Sequence, residues 1–286
     1  MENTIILYHY VRDNTKMKAF STKEFRQQLE YLSKKNKIIA LGELIEKKPN
    51  GKTCVLTFDD GIKDGYKTVL PILEEFGFKA NFFLPTSILE TKKILAAQKR
   101  HLLLSKIGAK RFAKEFNALV PELFKVKEEG KKEGYPLDEE LTSNLKYMLD
   151  NAPDGKKTVG KIFARHFDEE EEFEKIYLSK SDMKKMQDKG MEFGIHGHKH
   201  AWLGKLHFYD AQNDLQKSVS AFKNFFLEQK MFISYPFGSY SPLLLRAVKQ
   251  LGFEAGLTTE KKINGADTDN LLLGRFDCID LYPRKK

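Results

Sequence analysis

Two short segments carry the residue types that could do chemistry. Thr57-Phe58-Asp59-Asp60-Gly61 sets adjacent carboxylates at the end of an apolar run. His196-Gly197-His198-Lys199-His200 sets two imidazoles four residues apart after another. One Asp and two His with coordination positions left open form the ligand set of a divalent-metal hydrolytic site. The second Asp is then placed to act as its base. Adjacent acids could instead cap a following helix, whose N-terminal dipole favours carboxylates. On extended backbone, however, neighbouring side chains project in different directions, so one acid can bind metal while the other faces a substrate. Gly61 lets the chain turn sharply behind them. His196 and His200 share a face if the segment after the run is helical or turn-like. His198, between them, points elsewhere, towards a substrate or, on the simpler reading, to solvent.

Short apolar runs rich in β-branched and aromatic residues must position these groups. They alternate with helix-period segments, which argues for βα units around a parallel sheet. Strands are expected at Thr4–His9, Thr53–Thr57, Ala80–Leu84, Glu192–Ile195, Phe232–Tyr235, Ala255–Leu257 and Leu271–Arg275. Ser21 with Glu24 makes a capping box that opens a helix to about Lys34. Ser241 and Pro242 start another, which Gly252 closes, and Asp64 to Phe76 ends at Gly77 in the same manner. Seven or so strands, with no glycine-rich loop after the first, fit a barrel better than a flat doubly wound sheet. Barrels carry their functional groups at the C-terminal strand ends, and both motifs sit there. Residues from about Glu90 to Lys180 break the rhythm. They are dense in Lys and Glu, with helix-period apolar positions at Leu102, Leu103, Ile107, Phe112, Phe116 and Leu119. This stretch reads as a helical insertion at about 90–180 in one domain spanning 1–286. Its acidic run, Asp168 to Glu172, reads as a solvated helix face.

The 286 residues, 41% hydrophobic and 12% aromatic, can bury a sizeable core and are not those of a disordered chain. No apolar stretch approaches the ~20 residues of a membrane span. Thr4–Val11 is too short, and wrongly flanked, for a secretory signal, so a cytoplasmic location is expected unless a leader has been left out. Cys54 and Cys278 lie in apolar segments without CxxC spacing and read as buried thiols. The net charge of +9 comes from 49 basic and 40 acidic residues, mixed along the chain. No basic run with interleaved aromatics occurs, so nucleic acid is not an expected partner. Attraction to anionic lipid or an acidic glycan is compatible with the charge.

TFDDG, EFGIHGHKH and ISYPFGSYS together resemble the successive motifs of the polysaccharide deacetylase family, carbohydrate esterase family 4 with its NodB-homology domain. The segments ILYHYV, EFRQQLEYL and VKQLGFEAGLTTE are similar to that family as well. The resemblance implies an α/β fold, a distorted (β/α) barrel of about seven parallel strands. It also implies metal-dependent N-deacetylation of an acetamido sugar or glycan. By motif position Asp60, His196 and His200 become ligands of one divalent ion. Zinc is the expected metal, although the set also accepts cobalt, nickel or iron. Asp59 becomes the catalytic base, and the backbone N–H of Phe237 helps to hold the oxyanion.

The chain departs from that pattern twice. Many relatives carry an arginine two residues before the third-motif proline, where this chain has Ser234. Arg275 could supply the charge from a later strand and pair with Asp59, with Asp277 or Asp280 nearby; an ordinary surface arginine is the competing reading. The late histidine that many relatives use as general acid is also missing. His9, His101, His198 and a protonated Asp59 are the candidates, with His9 and Asp59 expected at the barrel mouth. Two other functions stay open: hydrolysis of a non-sugar, cyclic amide, and a weakened carbohydrate-binding relative. Nothing in the sequence sets an oligomeric state.

Overall fold

The apolar runs form one parallel sheet in the computed structural model, which describes residues 2–15, 17, 19–127, 138–227 and 229–283. The chain folds as two units, residues 1–14, 19–91 and 174–286 in the first and 15–18 with 92–173 in the second. The first unit begins with β1 (Glu2–Tyr8), α1 (Thr22–Ser33), β2 (Lys37–Ile38), α2 (Leu41–Lys47), β3 (Lys52–Phe58), α3 (Leu70–Phe76) and β4 (Asn81–Leu84). The second holds α4 (Ala96–Asn117), α5 (Glu140–Asn151) and α6 (Gly155–Phe163), and α7 (Glu169–Ile176) spans the boundary in sequence. The first unit resumes with α8 (Lys180–Asp188), β5 (Glu192–Ile195), α9 (Phe208–Phe225), β6 (Phe232–Ser234), α10 (Pro242–Gln250), β7 (Ala255–Leu257) and β8 (Phe276–Asp277).

Strand order is β7-β6-β5-β4-β3-β1-β8, with β2 branching off β3 and every pair parallel. Seven strands thus curl into a half-barrel in the first unit, the distorted (β/α) barrel anticipated above. Residues 273–277 reach both edges of this sheet. Leu273 bridges Leu257 of β7, while Phe276 and Asp277 pair with Ile6 and Leu7 of β1.

Strand alternation sorts the side chains into two layers. On one face Tyr8, Phe58, Phe82 and Phe193 occupy matched register positions; the first three rings stack across neighbouring strands at 4.9 Å each, and Phe82 meets Phe193 tilted at 5.9 Å. This ladder meets the helices, for Phe25 of α1 packs edge-on against Tyr8 and Phe226 beyond α9 stacks on Phe193. The other face carries Ile5, Val55, Phe83, Phe232 and Leu257, which pack in one buried cluster. Thr57, Asp59, His196 and Ser234 have the parity of that second face. A slip of one residue in β3 would exchange Asp59 with Phe58.

The helix signals act as their chemistry dictates. Ser21 and Glu24 form the reciprocal capping box of α1, Ser241 caps α10, and Gly77 ends α3 with φ 68°. Several expectations need correction. The run Leu271–Arg275 is not a strand throughout, because the Asp269 carboxylate caps a 3-10 turn at Asn270–Leu272 and β8 starts only at Phe276. Gly108, with φ 74° and ψ 165°, breaks α4. In that helical region Leu103, Phe112 and Phe116 are buried but Leu119 is exposed. Glu169 is not merely a solvated acid, since it accepts the Ile94 N–H at 2.9 Å and meets Lys99 Nζ at 2.8 Å. Residues 128–137 of the expected helical stretch lie outside the described residues. Among those described, no helix is long and apolar enough to cross a membrane.

Candidate metal centre

Three strand ends and one distant arginine build the site. After β3 the backbone turns left-handed twice, at Asp60 (φ 74°) and Gly61 (φ 64°). The glycine suits this turn, because a side chain would be strained at that φ and its Cβ would lie 3.0 Å from Leu84 Cβ. The Gly61 N–H is taken by Phe83 O. Asp59 and Asp60 are thereby split, with the first on the barrel-interior parity and the second turned towards the histidine loop.

The loop after β5 is irregular rather than helical. Gly197 turns it with φ 68°, and the Asp214 carboxylate of α9 accepts the N–H groups of His198 (2.7 Å) and Lys199 (3.3 Å). Thr86 and Ser87 donate their N–H groups to the carbonyls of Gly197 and His198. His200 then adopts φ 51° and returns to His196, the ring centroids lying 4.8 Å apart. His198 corrects the expectation of exposure. It is buried, with Nδ1 3.1 Å from Thr86 Oγ1 and Nε2 3.8 Å from Glu90 Oε2.

Asp60 Oδ1 lies 3.2 Å from His200 Nε2 and 3.6 Å from His196 Nε2. One nitrogen from each ring and one Asp60 oxygen all fall within 4.8 Å of each other. Ligands bound at about 2.0–2.1 Å in a tetrahedral shell are separated by about 3.3–3.4 Å, so the two distances to Asp60 suit a zinc-type ion. His196 Nδ1 donates to Ser234 O at 2.7 Å, which leaves Nε2 as the free lone pair. Burial, reinforced by His200, outweighs the two nearby carboxylates and pushes His196 down to about 4. The ring is therefore neutral near pH 7, as a ligand must be. Burial opposes the charge on Asp60, but the facing His200 holds that carboxyl well below the usual range.

Asp59, 2% exposed, is gripped from behind. Arg275 donates from Nη1 to Oδ1 at 3.0 Å and from Nη2 to Oδ2 at 2.9 Å; Ser234 Oγ donates to Oδ2 at 2.9 Å. Burial raises the Asp59 carboxyl, yet Arg275 and His196 outweigh it and hold it below the ordinary value. Arg275 is itself only 2% exposed, and its Nε donates to Thr258 O, so it is no surface arginine. Asp277 and Asp280 are engaged elsewhere, the former capping the turn at Cys278–Asp280 and the latter pairing with Lys261.

The third-motif turn completes the surroundings. Phe237 has φ 58° and Gly238 φ 65°; a Cβ on Gly238 would sit 2.2 Å from Thr259 Oγ1. The Phe237 ring lies 4.7 Å from that of His200 and stacks on Trp202 at 4.2 Å, with Lys205 Nζ 4.0 Å from the Trp202 centroid. His9 follows β1, half-buried, and lies within electrostatic reach of both Asp59 and Asp60. His101 belongs to α4 in the second unit. Sequence reasoning overlooked Asp214 and Thr86, which carry no motif signal, and read Ser234 only as a gap.

A curled parallel sheet with its polar groups gathered at the C-terminal strand ends defines the class, that of the distorted β/α barrels. A sequence model of polysaccharide deacetylases matches residues 46–120 and 155–256, more than half of the chain. The chain belongs to the polysaccharide deacetylase family. It is 22% identical over 262 residues to YxkH of Bacillus subtilis (strain 168), which is classed by name as a polysaccharide deacetylase. That match takes in 90% of this chain but only 64% of the relative, less than two thirds of its length. Two solved structures share the fold. One is a Streptococcus pyogenes deacetylase, PplD, in complex with acetate (TM-score 0.62, 18% identity, 97% of this chain and 92% of that one). The other is IcaB from Ammonifex degensii (TM-score 0.60, 18% identity, 96% and 90%).

Proposed function

We propose that this chain is a metal-dependent N-deacetylase acting on an acetamido sugar or glycan. The observation that carries the reading is the triangle of Asp60, His196 and His200 beside a second buried acid, Asp59, whose far side is occupied by Arg275. A divalent ion held by those three residues, zinc by donor set with cobalt, nickel or iron as alternatives, would polarise the acetamide carbonyl and acidify water. Asp59 takes the proton of the attacking water. The Phe237 N–H donates to the oxygen that gains charge in the tetrahedral transition state. Arg275 keeps Asp59 ionised and oriented. His9 or the protonated Asp59 then gives a proton to the departing amine, leaving acetate and a free amino sugar.

Metal content, measured beside acetate release from a panel of acetamido sugars, tests the reading. The expected result is about one zinc-type ion per chain, lost in His196→Ala and Asp60→Ala, with acetate release abolished by a chelator and restored by metal. A wild-type protein that takes up no metal even on reconstitution would overturn it and favour a carbohydrate-binding relative. Metal uptake with activity confined to cyclic amides would instead reassign the substrate.

A further inference from the structure

Ser234 lies at the end of β6 with 0% of its surface exposed, and it touches all three parts of the centre. Its carbonyl accepts the Nδ1–H of His196 at 2.7 Å. Its hydroxyl accepts from Arg275 Nη2 at 2.9 Å and donates to Asp59 Oδ2 at 2.9 Å. Arg275 can only donate, so the single hydroxyl proton is directed at Asp59. Two parallel bonds from a guanidinium fix the spacing of a carboxylate but still allow it to hinge about their shared axis. A third donor from another strand removes that freedom. Because the same residue also orients His196, it fixes the 3.8 Å separation between Asp59 Oδ2 and His196 Nε2.

We propose that Ser234 is a positioning residue, which sets where the base Asp59 stands relative to the metal ligands. This deepens the deacetylase reading and rests on it. Ser234→Ala removes the hydroxyl and keeps the carbonyl, so the two jobs separate. The expected result is a fall in kcat of roughly ten- to a hundredfold, the value of a hydrogen bond to a charged group, with KM and bound metal unchanged. Ser234→Thr, which retains the hydroxyl, recovers most of the loss. Three outcomes would overturn the role: a Ser234→Ala enzyme with wild-type kcat, a loss that Ser234→Thr fails to recover, or a loss read in metal content rather than in kcat. A wild-type protein releasing acetate from no acetamido sugar is a different failure. It removes the deacetylase reading, and the positioning role falls with it.

Discussion

The pair Arg275–Asp59 shows what one residue contributes. Both partners are 2% exposed, so each is stable as an ion largely because the other and Ser234 are present. Removing one partner of a buried pair leaves an uncompensated charge, typically at a cost of about 3–5 kcal/mol. Arg275→Ala is therefore expected to lower the denaturation midpoint clearly and to cut kcat/KM at least tenfold. Arg275→Lys should not restore the rate, because an ammonium cannot make the two-point contact with Oδ1 and Oδ2. Steady-state kinetics of both variants decides this, and unchanged kcat/KM in Arg275→Ala would remove Arg275 from the mechanism. The acids and imidazoles themselves were legible in the sequence as residue types at a spacing. Ser234 was not, because a small hydroxyl residue acts through what stands opposite it, whereas Arg275 was named as a partner of Asp59 although it lies 216 positions away.

Among the elements, the loops matter more than the strands. Strands β1, β3, β5 and β7 follow directly from their apolar runs, and the caps of α1 and α10 from their Ser residues. β2 escaped because two residues show no alternation. β8 was displaced because Leu271 and Leu272 look like strand but are held in a turn by the Asp269 carboxylate. The histidine loop owes its shape to Asp214, an acid indistinguishable in sequence from others on an amphipathic helix. Its carboxylate holds two backbone N–H groups between His196 and His200. Asp214→Ala is expected to weaken metal affinity about ten- to a hundredfold, the usual effect of losing a group that orients ligands, while the far-ultraviolet spectrum stays native. Metal titration of the variant measures it, and wild-type affinity would show that the loop is held by Thr86 and Ser87 alone.

At the scale of the whole molecule, the site and the fold share their stability. His196 is held at about 4 when folded, against about 6.5 for a free imidazole. Between those values the unfolded chain binds a proton that the folded chain refuses, so stability rises with pH across that window. The metal-free protein should be at full stability above about pH 6.5 and lose it steadily towards pH 4. Asp59 and Asp60, both lowered, extend the loss in the same direction at more acid pH. Thermal midpoints of chelator-treated protein check this, and His196→Gln should flatten the slope in the upper window. A flat profile in the native chain would mean that His196 is not buried as described. The segment 273–277, which joins both edges of the sheet, bears on time rather than energy. The loop-closure cost of so long a stretch of chain must be met before these contacts form, so they are expected late in folding. The helices and the aromatic ladder can assemble while Asp59 still lacks its counter-ion. The site is therefore expected to be complete only after the chain is compact, once the segment that carries Arg275 has docked.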